Sequence, residues 1–268
     1  MTSSSLSISK SIRELSLRLV HKAKASHIGS ALSIADLLAV MISDADILNL
    51  SNPDDPNRDR LLLSKGHACV ALYSALCIKG FFDVHELMSY GEDFSPFMNH
   101  ASHYVPGVEI STGALGHALS IGCGKAIAAR SRKENWHIYT ILSDGEMQEG
   151  SNWEALMFAA HHSLKNLTII IDCNNLQSLT TVEETLSLSP LDDKLVSFGW
   201  AVTTVNGHCH DSLRETLLEA KKSDSPHAII MNTIKGKGIS FMEGKVEWHY
   251  KSPTNADLEK AISEIYGQ

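Results

Sequence analysis

No apolar run in the chain approaches the ~20 residues that a transmembrane helix needs, so no membrane span is expected. The start, MTSSSLSISK, has no long apolar core of the kind a secretory signal carries, and reads as a polar tail leading into a helix. Clustered basic residues are also missing and the net charge is −8, which argues against a nucleic-acid surface. The five cysteines are odd in number and form no Cys-x-x-Cys pair. They read as reduced, mostly buried thiols rather than a disulfide framework or a thiolate metal site. These absences predict a cytoplasmic protein. The hydrophobic fraction of 43% and charged fraction of 20% are those of an ordinary globular chain. A length of 268 residues suits one large α/β domain, 1–268, with a substantial core.

Histidine, by contrast, is plentiful. There are fourteen, and several sit beside glycines in turns, where burial in a core explains them poorly. The most informative stretch runs from Ser143 to Leu176. Ahead of it, Ile138 to Leu142 reads as a buried strand, which Ser143-Asp144-Gly145 breaks with turn chemistry. A helical pattern follows over 151–162, with Trp153, Leu156, Met157 and Ala160 at helical spacing, and 167–172 is a second β-branched strand. A crossover helix between two strands makes them parallel. Asp144 and Asn174 then lie side by side past the carboxyl ends of neighbouring strands, the edge where open α/β sheets bind ligands.

Periodicity elsewhere predicts helices over 6–25, 33–41, 68–79, 84–90, 119–132, 191–198, 211–222 and 255–266. The helix at 33 is expected to open on a capping box, Ser33 to Asp36, and the one at 211 to be capped by Asp211. Strands are expected over 61–63, 200–205 and 228–232, with a long polar loop over 177–190. Strands and helices alternate without repeats. The fold class expected is α/β, a doubly wound, mostly parallel sheet with helices on both faces.

Two hard oxygen donors at a sheet edge suit Mg²⁺ or Ca²⁺ attached to a phosphate-bearing ligand, because Mg²⁺ takes few protein ligands and completes its shell with water and phosphate oxygens. The arrangement of strand, Asp144-Gly145, Glu149-Gly150, helix, strand and Asn174-Asn175 closely resembles the metal–diphosphate motif of thiamine diphosphate enzymes, in the form found in transketolases. The resemblance implies a thiamine-diphosphate-binding fold of the diphosphate (PP) type, with thiamine diphosphate and Mg²⁺ (or Ca²⁺ or Mn²⁺) as cofactors. It implies metal binding by Asp144, Asn174 and the backbone carbonyl of Leu176. Gly145 and Glu146 join the cofactor-binding set, and Glu149 matches a glutamate that helps join subunits and couple cofactor sites. Ser143 stands where the family usually has Gly.

The same resemblance extends over nearly the whole chain. His27-Ile-Gly-Ser looks like the family's His-Pro-Gly segment, whose histidine faces the substrate, with Ile28 in place of Pro. DRLLLSKGHA is similar to the segment whose histidine approaches the diphosphate, which makes His67 a cofactor-side residue. A glycine before a helix N-terminus allows close approach of backbone to an anion. Gly113 and Leu115 match positions beside the aminopyrimidine ring, although the usual Gly-Gln-Gly ending reads Gly116-His117-Ala118. The substrate-facing histidine of this region falls on His100, with His103 the competing candidate in the same loop. TIKGKG followed by EWH looks like a late loop whose histidine, His249, reaches both diphosphate and substrate, and whose lysines suit a nearby anion.

By this resemblance the catalytic histidines are His27, His67, His100 and His249, and the reaction is transfer of a two-carbon ketol unit from a ketose (phosphate) to an aldose (phosphate). The glutamate that activates the cofactor lies, in the family, on a second domain that this chain would reach only beyond Gln268. The expectation is an N-terminal subunit of a split transketolase, inactive alone. Its partner would be a C-terminal subunit with pyrimidine-binding and C-terminal domains, in an α2β2 heterotetramer. The rivals are a deoxyxylulose-phosphate-synthase-like or dehydrogenase-E1-like subunit, and a non-catalytic diphosphate-binding regulatory subunit. The four-histidine set favours transketolase.

Overall fold

The computed structural model describes residues 4–267; residues 1–3 of the polar tail and Gln268 lie outside the described residues. Five strands form one all-parallel sheet: β1 (Arg60–Leu63), β2 (Ile138–Ser143), β3 (Leu167–Cys173), β4 (Ala201–Asn206) and β5 (His227–Asn232), in the order β1-β2-β3-β5-β4. Parallel sheets need cover on both faces, and their strands therefore read as continuous apolar runs. Ile169, Ile170 and Ile171 show the consequence: all three are fully buried, yet alternate ones enter different cores.

Helices α1 (Ser5–Ala23), α2 (Ile28–Ser33), α3 (Ala35–Ser43) and α4 (Cys69–Lys79) pack on one face, over Leu61, Tyr139, Ile170 and Ile229. The other face meets α6 (Ala118–Arg132), α7 (Gly150–His161) and α9 (Leu191–Ser197), over Leu62, Leu142, Ile169 and Ile171. Between these in the chain fall α5 (Val84–Leu87) and α8 (Val182–Leu186), and α10 (His210–Lys221) and α11 (Asn255–Tyr266) complete the first face. This is the doubly wound α/β architecture expected. Register places Ser143 opposite Asp172 and Cys173 opposite Asn232, so β2, β3 and β5 deliver their following loops to one edge.

Three local expectations change. The helix predicted over 33–41 begins at Ala35 as α3, directly after the short helix α2 in the segment read as a turn, and its capping box does not form. Ser33 Oγ donates instead to Asp172 Oδ2 (2.6 Å) and the Ser30 carbonyl (2.9 Å), while Asp36 takes a bidentate pair from Arg13. The loop 177–190 contains α8, opened by Thr181, whose hydroxyl accepts from Glu184 N–H at 3.1 Å. Helix α10 starts one residue early, with Cys209 at the cap and Asp211 in the first turn. No helix among the described residues is long and apolar enough to cross a membrane.

Candidate active site

A cleft of about 270 Å³ opens where the loops after β1, β2, β3 and β5 converge. The turn after β2 supplies Asp144, which is 4% exposed. Its Oδ1 accepts from the Gly145 amide (2.8 Å) and its Oδ2 from the Asn175 amide (2.6 Å), so the carboxylate is locked against the segment after β3. Among the described residues, no cationic side chain forms an ion pair with it. Burial, reinforced by the nearby Asp172 charge, pushes its pKa up to about 6 against the pull of those amides and of Lys65. Gly145 packs closely on Gln177: a Cβ there would lie 3.0 Å from that side chain, which would have to shift.

Asn174 follows β3. Its amide nitrogen donates to Asp172 Oδ2 (3.2 Å), and its Oδ1 accepts from the Leu176 amide (3.1 Å). Asp144, Asn174 and Leu176 all line the cleft. Asp172 is fully buried and paired with Lys65 Nζ at 2.5 Å; Ser33 and Thr233 hydroxyls donate to it as well. A buried charge pair of this kind is tolerated only when its remaining valences are satisfied. Burial would raise the Asp172 pKa, but Lys65 and the Ser33 and Thr233 hydroxyls together more than offset it and hold the carboxyl below its usual value.

The four expected histidines meet. His27 takes the left-handed conformation (φ 72°) at the start of α2, and its N–H donates to the His249 carbonyl at 2.7 Å. Its ring centre lies 5.3 Å from that of His67, 5.6 Å from His100 and 4.9 Å from His249. His100, not His103, faces the cleft: a Cβ on Gly113 would come within 3.1 Å of the His100 ring. His103 is exposed, bonded to Ser111 Oγ (2.8 Å) and stacked on Tyr104. Burial lowers all four imidazoles. It brings His27 down to about 4, with His100 and Lys235 adding repulsion, and His249 to about 3, with Lys235, His27 and Lys65 adding theirs. His67 lies well below its usual value through burial and Lys65, and His100 is lowered by burial alone.

Lys235, on the loop after β5, is 2% exposed and reaches into the cleft. Its ammonium donates to the carbonyls of Leu176 (3.2 Å) and Gln177 (2.8 Å) and to His249 Nδ1 (3.1 Å). Burial and the Lys65 charge bring its pKa down to about 8. Leu115 lines the cleft beside Gly113. Glu146 is fully buried and directs its carboxylate to Ser64 Oγ, the Gly116 amide (2.9 Å) and the Ser143 amide (3.3 Å), binding the turn together. Glu149 is exposed at the mouth, packed on Gly116. Near the mouth, Leu179, Leu186 and Tyr250 stand 81%, 59% and 57% exposed.

Ser30, Lys65, Asp172 and Gln177 were not among the residues expected from the sequence to form the site, and Lys235 was given only as one of two loop lysines. Lys65 and Ser30 had a signal, since each is a close neighbour of a selected histidine. Asp172 ended a strand that was read only for its apolar face. Gln177 has an amide nitrogen that is buried without a hydrogen-bond partner.

The fold and the cleft define an α/β protein that gathers oxygen donors, buried lysines and neutral imidazoles at the carboxyl edge of a parallel sheet. Residues 4–268 match the family described as transketolase, thiamine diphosphate binding domain. One subunit of the apulose-4-phosphate transketolase of Phocaeicola vulgatus is 40% identical over 254 residues, covering 94% of this chain and 90% of that protein. The 6-deoxy-6-sulfo-D-fructose transketolase subunit SqwG of a Clostridium species is 38% identical, covering 95% and 93%. The crystal structure of transketolase from Campylobacter jejuni superposes with a TM-score of 0.92 at 31% identity, over 99% of this chain and 43% of that one. The chain belongs to the transketolase family and corresponds to its N-terminal, thiamine diphosphate-binding unit. It spans nine tenths of the separate subunits and about two fifths of the longer transketolase chain.

Proposed function

We propose that the chain supplies the diphosphate- and metal-binding part of a two-chain transketolase, which moves a two-carbon ketol unit from a ketose, or ketose phosphate, to an aldose acceptor. The supporting observation is the convergence on one cleft of a buried carboxylate without a cationic partner, two buried lysines and four imidazoles. The donor set fits a hard divalent ion. Asp144, Asn174 and the Leu176 carbonyl offer oxygen only, and among the described residues no group of three or more His, Cys, Asp or Glu gathers to hold a metal. An ion held this way keeps open positions for phosphate oxygens, which suits Mg²⁺, with Ca²⁺ or Mn²⁺ as substitutes. Lys65, Lys235, His67 and His249 would meet the diphosphate, Gly113 and Leu115 the pyrimidine end, and Gly145 and Glu146 would shape the turn.

When bound, thiamine diphosphate supplies the electron sink that lets a carbon–carbon bond beside a carbonyl break and re-form. The chain's own contribution is to hold neutral imidazoles at the site. His27 and His100, kept unprotonated by burial, can accept a proton from a sugar hydroxyl and return it, while neutral His249 can donate a hydrogen bond to a sugar or diphosphate oxygen. Lys235 donates to His249 Nδ1, which leaves the other ring nitrogen to carry the proton.

The chain forms one domain, 1–268, and the pyrimidine-binding and C-terminal domains belong to a partner subunit. An α2β2 assembly with Glu149 at the join and a cytoplasmic setting complete the reading; five free cysteines agree with a reducing compartment. The two subunit relatives are named for different sugars, so donor and acceptor are proposed only as classes. Mixing the chain with its C-terminal partner, Mg²⁺ and thiamine diphosphate should restore ketol transfer that the chain alone lacks. Cofactor binding without transfer would favour a regulatory subunit instead. Asp144→Ala should abolish Mg²⁺-dependent cofactor binding, and retained affinity would place the metal elsewhere.

A further inference from the structure

Behind the cleft, on the face covered by α1 and α3, a second polar cluster has no part in the site described so far. Its hub is Asp36, 5% exposed. Arg13 grips both of its oxygens (2.9 and 2.6 Å), His208 Nδ1 donates to Oδ2 (2.8 Å), and His210 Nε2 lies 3.1 Å from Oδ1. Two of these arms continue to the same place. Arg13 Nε donates to the Lys237 carbonyl (3.0 Å), and the Ile234 amide donates to His208 Nε2 (2.9 Å). One buried carboxylate thus holds residues 234 and 237, which flank the turn that carries Lys235. Between them, the Gly236 amide donates to the Gly29 carbonyl (3.0 Å), and Gly236 sits at φ +84°.

A salt bridge that served only to join helices would end on neighbouring helices. Here both arms end on backbone atoms of a single loop turn, whose one side chain in the cleft is an almost wholly buried ammonium. A four-carbon side chain is flexible, so the position of its charge depends on where its Cα is fixed. We infer that Asp36, acting through His208 and Arg13, is the positioning group that holds Lys235 in register with the cleft. The inference rests on the reading that the cleft receives a diphosphate. The roles of His208 are specific: one nitrogen donates to Asp36 and the other accepts from Ile234. Glutamine can donate and accept in the same way, and leucine can do neither.

The test uses the whole 268-residue chain and inorganic pyrophosphate with Mg²⁺ as the probe, followed by calorimetry. Lys235→Met and His208→Leu should each weaken binding roughly tenfold, the scale of one hydrogen bond to a charged group. His208→Gln should bind within about twofold of the parent, and Arg13→Lys, which keeps the charge but loses the contact to Lys237, should behave like His208→Leu. The double variant His208→Leu with Lys235→Met should bind no more weakly than Lys235→Met alone, because both changes act through one ammonium. Unchanged affinity in His208→Leu, or losses that multiply in the double variant, would overturn the inference. Amide exchange without ligand tests the clamp separately: protection over 234–237 should fall in His208→Leu and hold in His208→Gln. Equal protection in both overturns the clamp, whereas failure of the parent chain to bind pyrophosphate overturns the diphosphate reading itself.

Discussion

Gly113 and His137 show how single positions are constrained by opposite ends of the sheet. At Gly113 any side chain would press on the His100 ring, 3.1 Å from the position of the added carbon. Gly113→Val should therefore displace His100 from the cleft and lower turnover of the reconstituted enzyme by roughly tenfold, since small misplacements of reacting groups are costly. Its melting temperature should change little, and a variant with full turnover would free His100 from the proposed role. His137, at the amino end of β2, is 4% exposed, with Nε2 on Thr168 Oγ1 at 2.8 Å. Burial brings its pKa down to about 4; Asp59 opposes the shift, and Lys221 and His227 assist it. The unfolded chain takes up the same proton near pH 6.5. The folded state is thus fully favoured above that value and loses stability as pH falls from about 6.5 through 4, by up to roughly 3 kcal/mol for this group. Urea melts across that range should show a shallower acid slope for His137→Gln, and an unchanged slope would discount the burial.

Among the elements, the central strands carry the load. Ile170 is fully buried in the middle of β3, and Ile170→Ala should cost about 2–5 kcal/mol in urea unfolding, the range for core aliphatic truncations. Strands β2 and β3 were legible in the sequence because uninterrupted β-branched runs have few alternatives, and the turn Asp144-Gly145 punctuates them. Asp144, Asn174 and the histidines were legible because their chemistry sits in short, distinctive segments. The junction of α2 and α3 was not, since Ser33 and Asp36 are claimed by Asp172 and Arg13, 139 and 23 positions away. Local pattern carries no information about such distant competitors. The burial of Lys65 and Lys235 was hidden for the same reason, although Lys65 stands close to His67 in the sequence. A lysine in a loop reads as solvated, and these become buried only when β1, β3 and β5 bring Asp172, Leu176 and Gln177 against them. Thr181 before Val-Glu-Glu did carry a cap signal for α8, masked by the polarity of the surrounding loop.

For the whole molecule, the division between a cleft that is fully furnished on one side and a rim of bare apolar tips on the other has a consequence for production in the cell. Leu179, Leu186 and Tyr250 face water in the isolated chain, and apolar side chains left uncovered together can promote self-adhesion. Output of the two polypeptides should therefore have to be balanced. Co-expression with the proposed C-terminal partner should raise the recovered yield of dispersed material, measured by light scattering, and surplus copies made without it should clump or be degraded first.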